Sequence, residues 1–310
     1  MSPRRSRRHP RQESMSLPRR PDADPAALLA GLDRSLAGLG LTEVGEGFDN
    51  IAYAVRSPSG ARLLLRVSKV ADPVERARVL TKDVALLEFA NRHSSLTTNE
   101  VIAADAHAGA LLLTEVTGRT ADQIRPTDRV AFAATMATFL TRLHTAPVVE
   151  AALVTEMDPR SAAQWLVDTA TAWAAVADRT PVTLRDRVDE FLVAPAPSDV
   201  RRITFCHNDL GDEHVVLSED GGHVRGVIDW SDAVLGDPAR DLGLLTLDFG
   251  PGIVDALIDD YHGPTGADFR GRVLWFAATA GVEGLAWRLA NARPWQVTAD
   301  RLHDVLAVLA

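Results

Sequence analysis

The chain has 310 residues, 46% hydrophobic and 24% charged, the ordinary balance of a globular protein with one large core or two lobes. No apolar run reaches the roughly 18 residues that cross a bilayer, which excludes a helical membrane protein. The single cysteine, Cys206, excludes an internal disulfide framework and fits a reducing, cytoplasmic setting.

The net charge of −9 is unevenly spread. Residues 1–24 hold seven arginines against three acids, so the remainder carries −13. An acidic body disfavours nucleic acid and favours a cationic small substrate. The arginine-rich start has no apolar stretch of a secretory signal and reads as a disordered basic tail over 1–24, with Met15 as an alternative start. A nucleic-acid-binding arm is the other reading of this segment.

Ordered structure is expected from Asp24-Pro25, an N-cap followed by proline at the first helical position. Leu28, Leu29, Leu32 and Leu36 share a helical face that Gly38 or Gly40 would end. Strands are predicted over 41–44, 51–55 and 62–67, with a turn at Ser57-Pro58-Ser59-Gly60. A helix fits 74–93, and two more strands fit 101–106 and 110–116. After Gly118 helices dominate, over 128–144, 162–175 and 184–192, then 238–247, 253–261, 270–292 and 299–309. A β-hairpin region over 203–228 interrupts them. A strand-rich lobe over 25–116 and a helical lobe over 117–310, hinged near 114–118, make an α+β fold with a cleft between lobes.

The densest chemistry lies between Cys206 and Leu242. Asp209 follows the apolar run 203–206, and Asp229 follows 224–228, with Gly221-Gly222 between them. Phosphoryl transfer needs an aligned hydroxyl, a base and cations on the phosphates. Asp209 suits the base, and Asp229 suits a Mg²⁺ ligand bridging nucleotide phosphates. Each aspartate alone also fits a turn or strand-end cap; the pair on adjoining strands is the stronger signal. Gly236-Asp237-Pro238 has a local explanation, with Asp237 capping a helix. In the first lobe, Gly45 and Gly47 let backbone amides approach phosphates, though an ordinary turn fits equally. The absence of GxxxxGK[ST] excludes a P-loop.

These residues resemble the aminoglycoside phosphotransferase-like kinases, which share the protein-kinase fold. The resemblance rests on His207-x-Asp209, Ile228-Asp229-Trp230 and Gly236-Asp237-Pro238-Ala239-Arg240-Asp241-Leu242, and spans about residues 40–290. It implies a protein-kinase-like two-lobed fold and a small-molecule kinase using ATP or GTP with Mg²⁺, Asp209 as catalytic base and Asp229 as metal ligand. The family's metal-binding asparagine falls at His214, a histidine that the macrolide phosphotransferase branch shares, so His214 is the expected second ligand. His207 and Asp241 are expected to orient and brace the loop. Leu63-Leu64-Leu65-Arg66-Val67 resembles the strand bearing the phosphate-binding lysine, with Arg66 in its place, Lys69 as rival and a solvent-facing charge as the bland alternative. Asp83 stands where the helical partner is usually glutamate, with Glu88 as fallback. Backbone groups of Glu115 and Val116 would meet the purine.

Asp232, Asp259, Asp260 and Glu283 are candidate acids for a cationic substrate. Trp165, Trp173, Trp275 and Trp287 recur at helical spacing and are read as core. The implied substrate is an alcohol-bearing antibiotic, macrolide or aminoglycoside. A metabolite alcohol such as a sugar or amino alcohol, or a non-catalytic nucleotide-binding regulator, are the alternatives.

Overall fold

The computed structural model describes residues 20–47, 49–200 and 202–309. Most of the expected tail, residues 1–19, and the expectations placed on Phe48 lie outside the described residues. Helix α1 (Pro25–Leu32) starts as its sequence predicts, Asp24 accepting from the Ala26 amide at 3.0 Å. It stops earlier than the leucine pattern implied. Asp33 turns extended and accepts from the Ser35 amide at 2.8 Å, which starts a separate 3₁₀ turn over Arg34–Leu36.

Strands β1 (Leu41–Glu46), β2 (Asn50–Arg56), β3 (Arg62–Ser68), β4 (Val101–Asp105) and β5 (Ala110–Thr114) form one antiparallel sheet in the order β1-β2-β3-β5-β4. Helix α2 (Pro73–His93) is inserted after β3, its first turn capped by Asp72 on the Glu75 amide at 2.7 Å. Residue parity decides the two faces of this sheet. Leu63, Leu65 and Val67 of β3 share a small core with Leu29 and Leu36 on the α1 side. Leu111 and Leu113 of β5 join Leu80, Leu86 and Leu87 of α2 on the other. Ala110–Leu113 of β5 are buried because both faces are covered, hence the unbroken Ala-Leu-Leu-Leu run. Arg66, one step out of phase with Leu65 and Val67 and paired in register with Leu111, falls on the α2 side.

Beyond residues 115–118 the chain is mainly helical. Strand β6 (Arg119–Thr120) precedes α3 (Arg129–His144), α4 (Val148–Ala151), α5 (Ala162–Ala174) and α6 (Val182–Val193). Four short strands follow, β7 (Thr204–Cys206), β8 (Val215–Leu217), β9 (Val224–Val227) and β10 (Val234–Gly236), and then α7 (Ala239–Phe249), α8 (Val254–Asp259), α9 (Phe269–Ala290) and α10 (Gln296–Leu309). β6, β8 and β9 make one small sheet, and β7 pairs with β10. The fold is α+β and protein-kinase-like: a sheet-rich first part, then helices. β6, α4 and β10 were too short to register in the sequence pattern.

The two parts are stitched at Thr97, in the loop after α2. Its carbonyl accepts from the Val227 amide at 3.0 Å, and Thr97 bridges Gly226 of β9 in parallel. A Cβ on Gly226 would lie 2.2 Å from that carbonyl oxygen, so only glycine permits the approach. Among the described residues no helix is long and apolar enough to cross a membrane.

Candidate active site

The β7–β8 loop carries Asp209 and is held by a buried carboxylate. Asp241, in the first turn of α7 and fully enclosed, accepts from the backbone amides of His207 (2.8 Å) and Asn208 (2.7 Å). His144 Nε2 of α3 reaches the same carboxylate at 3.1 Å, and Tyr261 meets its other nitrogen at 2.8 Å. Burial alone would raise the Asp241 pKa, but the His144 contact and the amide donors hold it below the ordinary aspartate value. His207 accepts from the Asp209 amide through Nδ1 at 3.3 Å and donates through Nε2 to the Ile228 carbonyl at 3.0 Å. Burial, then the neighbouring His214, lowers its pKa, so it stays neutral and ties the Asp209 loop to the end of β9.

Asn208 and Asp229 both have left-handed backbones, with φ of 68° and 64°. Asn and Asp tolerate this conformation best, and such strain concentrates at functional positions. Asn208 is fixed on both sides of its amide: Oδ1 accepts from Arg240 Nε at 2.6 Å, and Nδ2 donates to the Asp232 carbonyl at 3.1 Å. Arg240 in turn lies 4.0 Å over the Trp165 ring of α5.

His214 stands between Asp209 and Asp229. Nδ1 donates to the Asp209 carbonyl at 2.6 Å, which fixes the tautomer, and Nε2 faces Asp229 Oδ2 at 3.6 Å. Asp209 Oδ2 lies 3.7 Å from Nδ1. Burial opposes charge on the imidazole, but the two carboxylates outweigh it and raise its pKa to about 8. The exposures are opposite: the Asp209 side chain is 8% exposed and Asp229 is 52% exposed. The donor set fits a cation. With Nδ1–H committed to the Asp209 carbonyl, His214 would present a lone pair toward Asp229 once its Nε2 proton is displaced, and Asp229 keeps an open side for phosphate oxygens and water.

Across the cleft, Arg66 Nη2 meets Asp83 Oδ2 at 3.0 Å, and both side chains are largely buried. Glu88, the fallback partner, is exposed. Lys69 is spent elsewhere: its buried ammonium donates to Glu46 Oε1 at 2.8 Å and to the Gly47 carbonyl at 3.2 Å. Lys69 thus pins the exposed Gly45–Gly47 stretch, which Arg20 flanks by pairing with Glu43 and Glu46. At the hinge, the Glu115 amide is taken by the Arg62 carbonyl at 3.1 Å. Among the described residues the Glu115 carbonyl and the Val116 amide have no backbone partner.

The four candidate substrate acids are scattered. Asp232 adjoins the Asp209 loop through its carbonyl bond to Asn208. Asp259 and Asp260 are exposed at the end of α8, which packs chiefly on α3. Glu283 is 1% exposed and accepts from Thr169 Oγ at 2.9 Å between α5 and α9, so it reaches no solvent as placed. Trp165, Trp173 and Trp275 are core as read, whereas Trp287 is half-buried. Asp237 accepts from the Ala239 amide at 2.9 Å ahead of α7, and also binds Arg272 of α9 through both oxygens, at 2.8 and 2.9 Å.

Sequence reasoning missed Ser231, Asn208 and the ties of Asp212. Asp212, three residues after Asp209, pairs with Arg301 of α10 at 2.7 Å and Arg125 at 3.1 Å; Arg301 also holds Asp248 at 2.8 Å. Of these only Asn208 had a local signal, its place beside an expected base. The others depend on partners up to 165 positions away.

Among solved structures, the macrolide 2'-phosphotransferase MphH from Brachybacterium faecium is similar at 20% identity over 89% of this chain and 96% of its own, with a TM-score of 0.62. The GDP complex of aminoglycoside 2'-phosphotransferase-IIIa is similar at 20% identity over 91% and 96%, with a TM-score of 0.67. A choline/ethanolamine kinase family protein from Mesorhizobium loti reaches 20% identity over 92% and 93%, with a TM-score of 0.58. At these identities the likeness is one of fold. No curated protein sequence matches the chain. The model of the phosphotransferase enzyme family, APH, matches residues 40–275, which include Arg66, Asp83, Asp209, His214, Asp229 and Asp241, and the chain belongs to that family of phosphotransferases.

Proposed function

We propose that the chain is a small-molecule kinase that moves the γ-phosphoryl group of ATP or GTP to a hydroxyl of a macrolide- or aminoglycoside-like antibiotic. The observation that carries this is the placement of His214 between Asp209 and Asp229, 3.7 and 3.6 Å from their carboxylates, in a loop braced by buried Asp241. Asp209 orients the substrate hydroxyl and accepts its proton as the oxygen attacks phosphorus and the nucleoside diphosphate leaves. Arg66, steadied by Asp83, holds phosphate oxygens with a planar cation. Asp229 and His214 would hold Mg²⁺, which supplies charge neutralisation on the phosphates when bound. The Glu115 carbonyl and Val116 amide receive the purine edge, and the Gly45–Gly47 stretch, held by Lys69, covers the phosphates.

Of the candidate acids, Asp232 is the one beside the Asp209 loop, so it is the first contact for a substrate amine. A second reading, a kinase of a metabolite amino alcohol, is supported by likeness to the choline/ethanolamine kinase family protein at the same identity as the antibiotic kinases. The test is turnover of ATP and GTP against macrolides, aminoglycosides and simple amino alcohols. Phosphorylation of an antibiotic at a hydroxyl, lost in Asp209→Asn, is expected. Turnover confined to an amino alcohol selects the second reading, and nucleotide binding without any acceptor would reject both.

A further inference from the structure

Ser231 lies two residues beyond Asp229, yet its hydroxyl belongs to the opposite side of the cleft. Arg66 Nη2 donates to Ser231 Oγ at 3.2 Å, and Ser231 Oγ lies 3.5 Å from Asp83 Oδ2. A hydroxyl is the smallest group that can accept from the guanidinium and donate to the carboxylate at once. The segment that carries it is fixed. Trp230, 1% exposed, donates through its indole to the Val227 carbonyl at 3.2 Å. The Ala233 amide closes a turn on the Trp230 carbonyl at 3.1 Å, and the Asp232 carbonyl is held by Asn208. Ser231 is therefore a rigid point on the loop that starts at Asp229. Arg66 and Asp83 belong to β3 and α2, which form the other wall of the cleft.

We propose that Ser231 is a positioning residue that couples the two halves of the nucleotide site, so that placing Asp229 also places Arg66. The proposal rests on the roles given above to Asp229 and Arg66. Loss of the hydroxyl leaves Arg66 on Asp83 and the Asn50 amide oxygen, both on its own side, and removes its bond to the Asp229 loop. Ala removes both bonds, Cys keeps the size with a weak donor and acceptor, and Thr keeps the hydroxyl.

The experiment measures ADP and GDP affinity by calorimetry, with and without Mg²⁺, in the wild type and in Ser231→Ala, Ser231→Cys and Ser231→Thr, with thermal unfolding to verify folding. Mg²⁺ strengthens nucleotide binding in the wild type by a factor that measures the coupling. That factor falls about 3- to 10-fold in the Ala and Cys variants, the size of one ordinary net hydrogen bond, and is retained by Thr. An undiminished factor in Ser231→Ala overturns the proposal alone. Tighter nucleotide binding in Ser231→Ala also overturns it, since the hydroxyl would then compete with phosphate for Arg66. No Mg²⁺ effect in the wild type overturns the reading of Asp229 and Arg66, and the proposal with it.

Discussion

Asp241→Asn separates the support of the Asp209 loop from its chemistry. The fully buried carboxylate accepts three hydrogen bonds, from the His207 amide, the Asn208 amide and His144 Nε2. Asparagine has one oxygen. In either amide orientation one backbone N–H faces an NH₂ group, and the remaining bonds lose their ionic character. A hydrogen bond to a charged group contributes about 1.5–3 kcal/mol, and a buried donor left unsatisfied costs about 1–3 kcal/mol. The expected loss of stability is therefore about 3–5 kcal/mol, a large share of the roughly 5–15 kcal/mol of a typical domain. Urea unfolding, followed by tryptophan fluorescence, measures it. Asn208 is also freed from a left-handed backbone that costs about 1–3 kcal/mol to hold, so Asp209 shifts and turnover falls about 10²-fold even in the folded fraction.

The pH dependence adds a sign. The folded-state pKa of Asp241 is depressed, so its contribution is complete above the unfolded value and is lost as pH falls through the folded one. The stability difference between wild type and variant should thus narrow below the ordinary aspartate value of 3.8. A difference below about 1 kcal/mol at neutral pH, with wild-type turnover, would refute the bracing role.

Asp209→Asn should cost about 10²–10⁴-fold in turnover on the true substrate with nucleotide affinity unchanged, read by steady-state kinetics and calorimetry. His214→Asn should keep activity and His214→Ala lose it; equal activity of all three forms would remove His214 from the Mg²⁺ set. Gly226→Ala should destabilise the protein by about 2 kcal/mol or more, because the added methyl meets the Thr97 carbonyl, and denaturant unfolding checks it. Arg301→Met should cost about 3–5 kcal/mol by leaving the buried Asp212 and Asp248 carboxylates short of a cation. If Arg301→Met matches the wild type in urea, that network is idle.

How much was legible follows from the range of each interaction. The strands and helices depend on periodicity within some 20 residues, and most lie where the pattern put them. Arg66 and Asp83 were readable through the resemblance of their strand and helix to the kinase pattern, and strand parity explains why they meet. Asp209 and Asp229 stood out as carboxylates ending apolar strands. The helix at residue 25 was over-extended because Leu36 kept the apolar phase while Asp33, a residue that competes for backbone amides, broke the helix. Ser231, Arg301 and His144 could not be found locally, since nothing near them in the chain hints at Arg66, Asp212 or Asp241 as partners.

The Asp237–Asp241 spacing shows why one motif serves two ends. The residues are four apart, about one helical turn at the start of α7. Asp237 faces α9 and is gripped by Arg272 through both oxygens, while Asp241 faces the β7–β8 loop and grips two of its amides. The start of α7 thus fixes the distance between the helical core and the Asp209 loop. A shift of α9 would be transmitted through Arg272 and Asp237 to Asp241, and so to Asn208 and Asp209. Proline at 238 makes that start stiff, with φ of −57° set by its ring. Helix-start structure and catalytic support are therefore one device here. Losing Arg272 should lower turnover as well as stability, although its hydrogen bonds go to Asp237 and the Ala267 carbonyl.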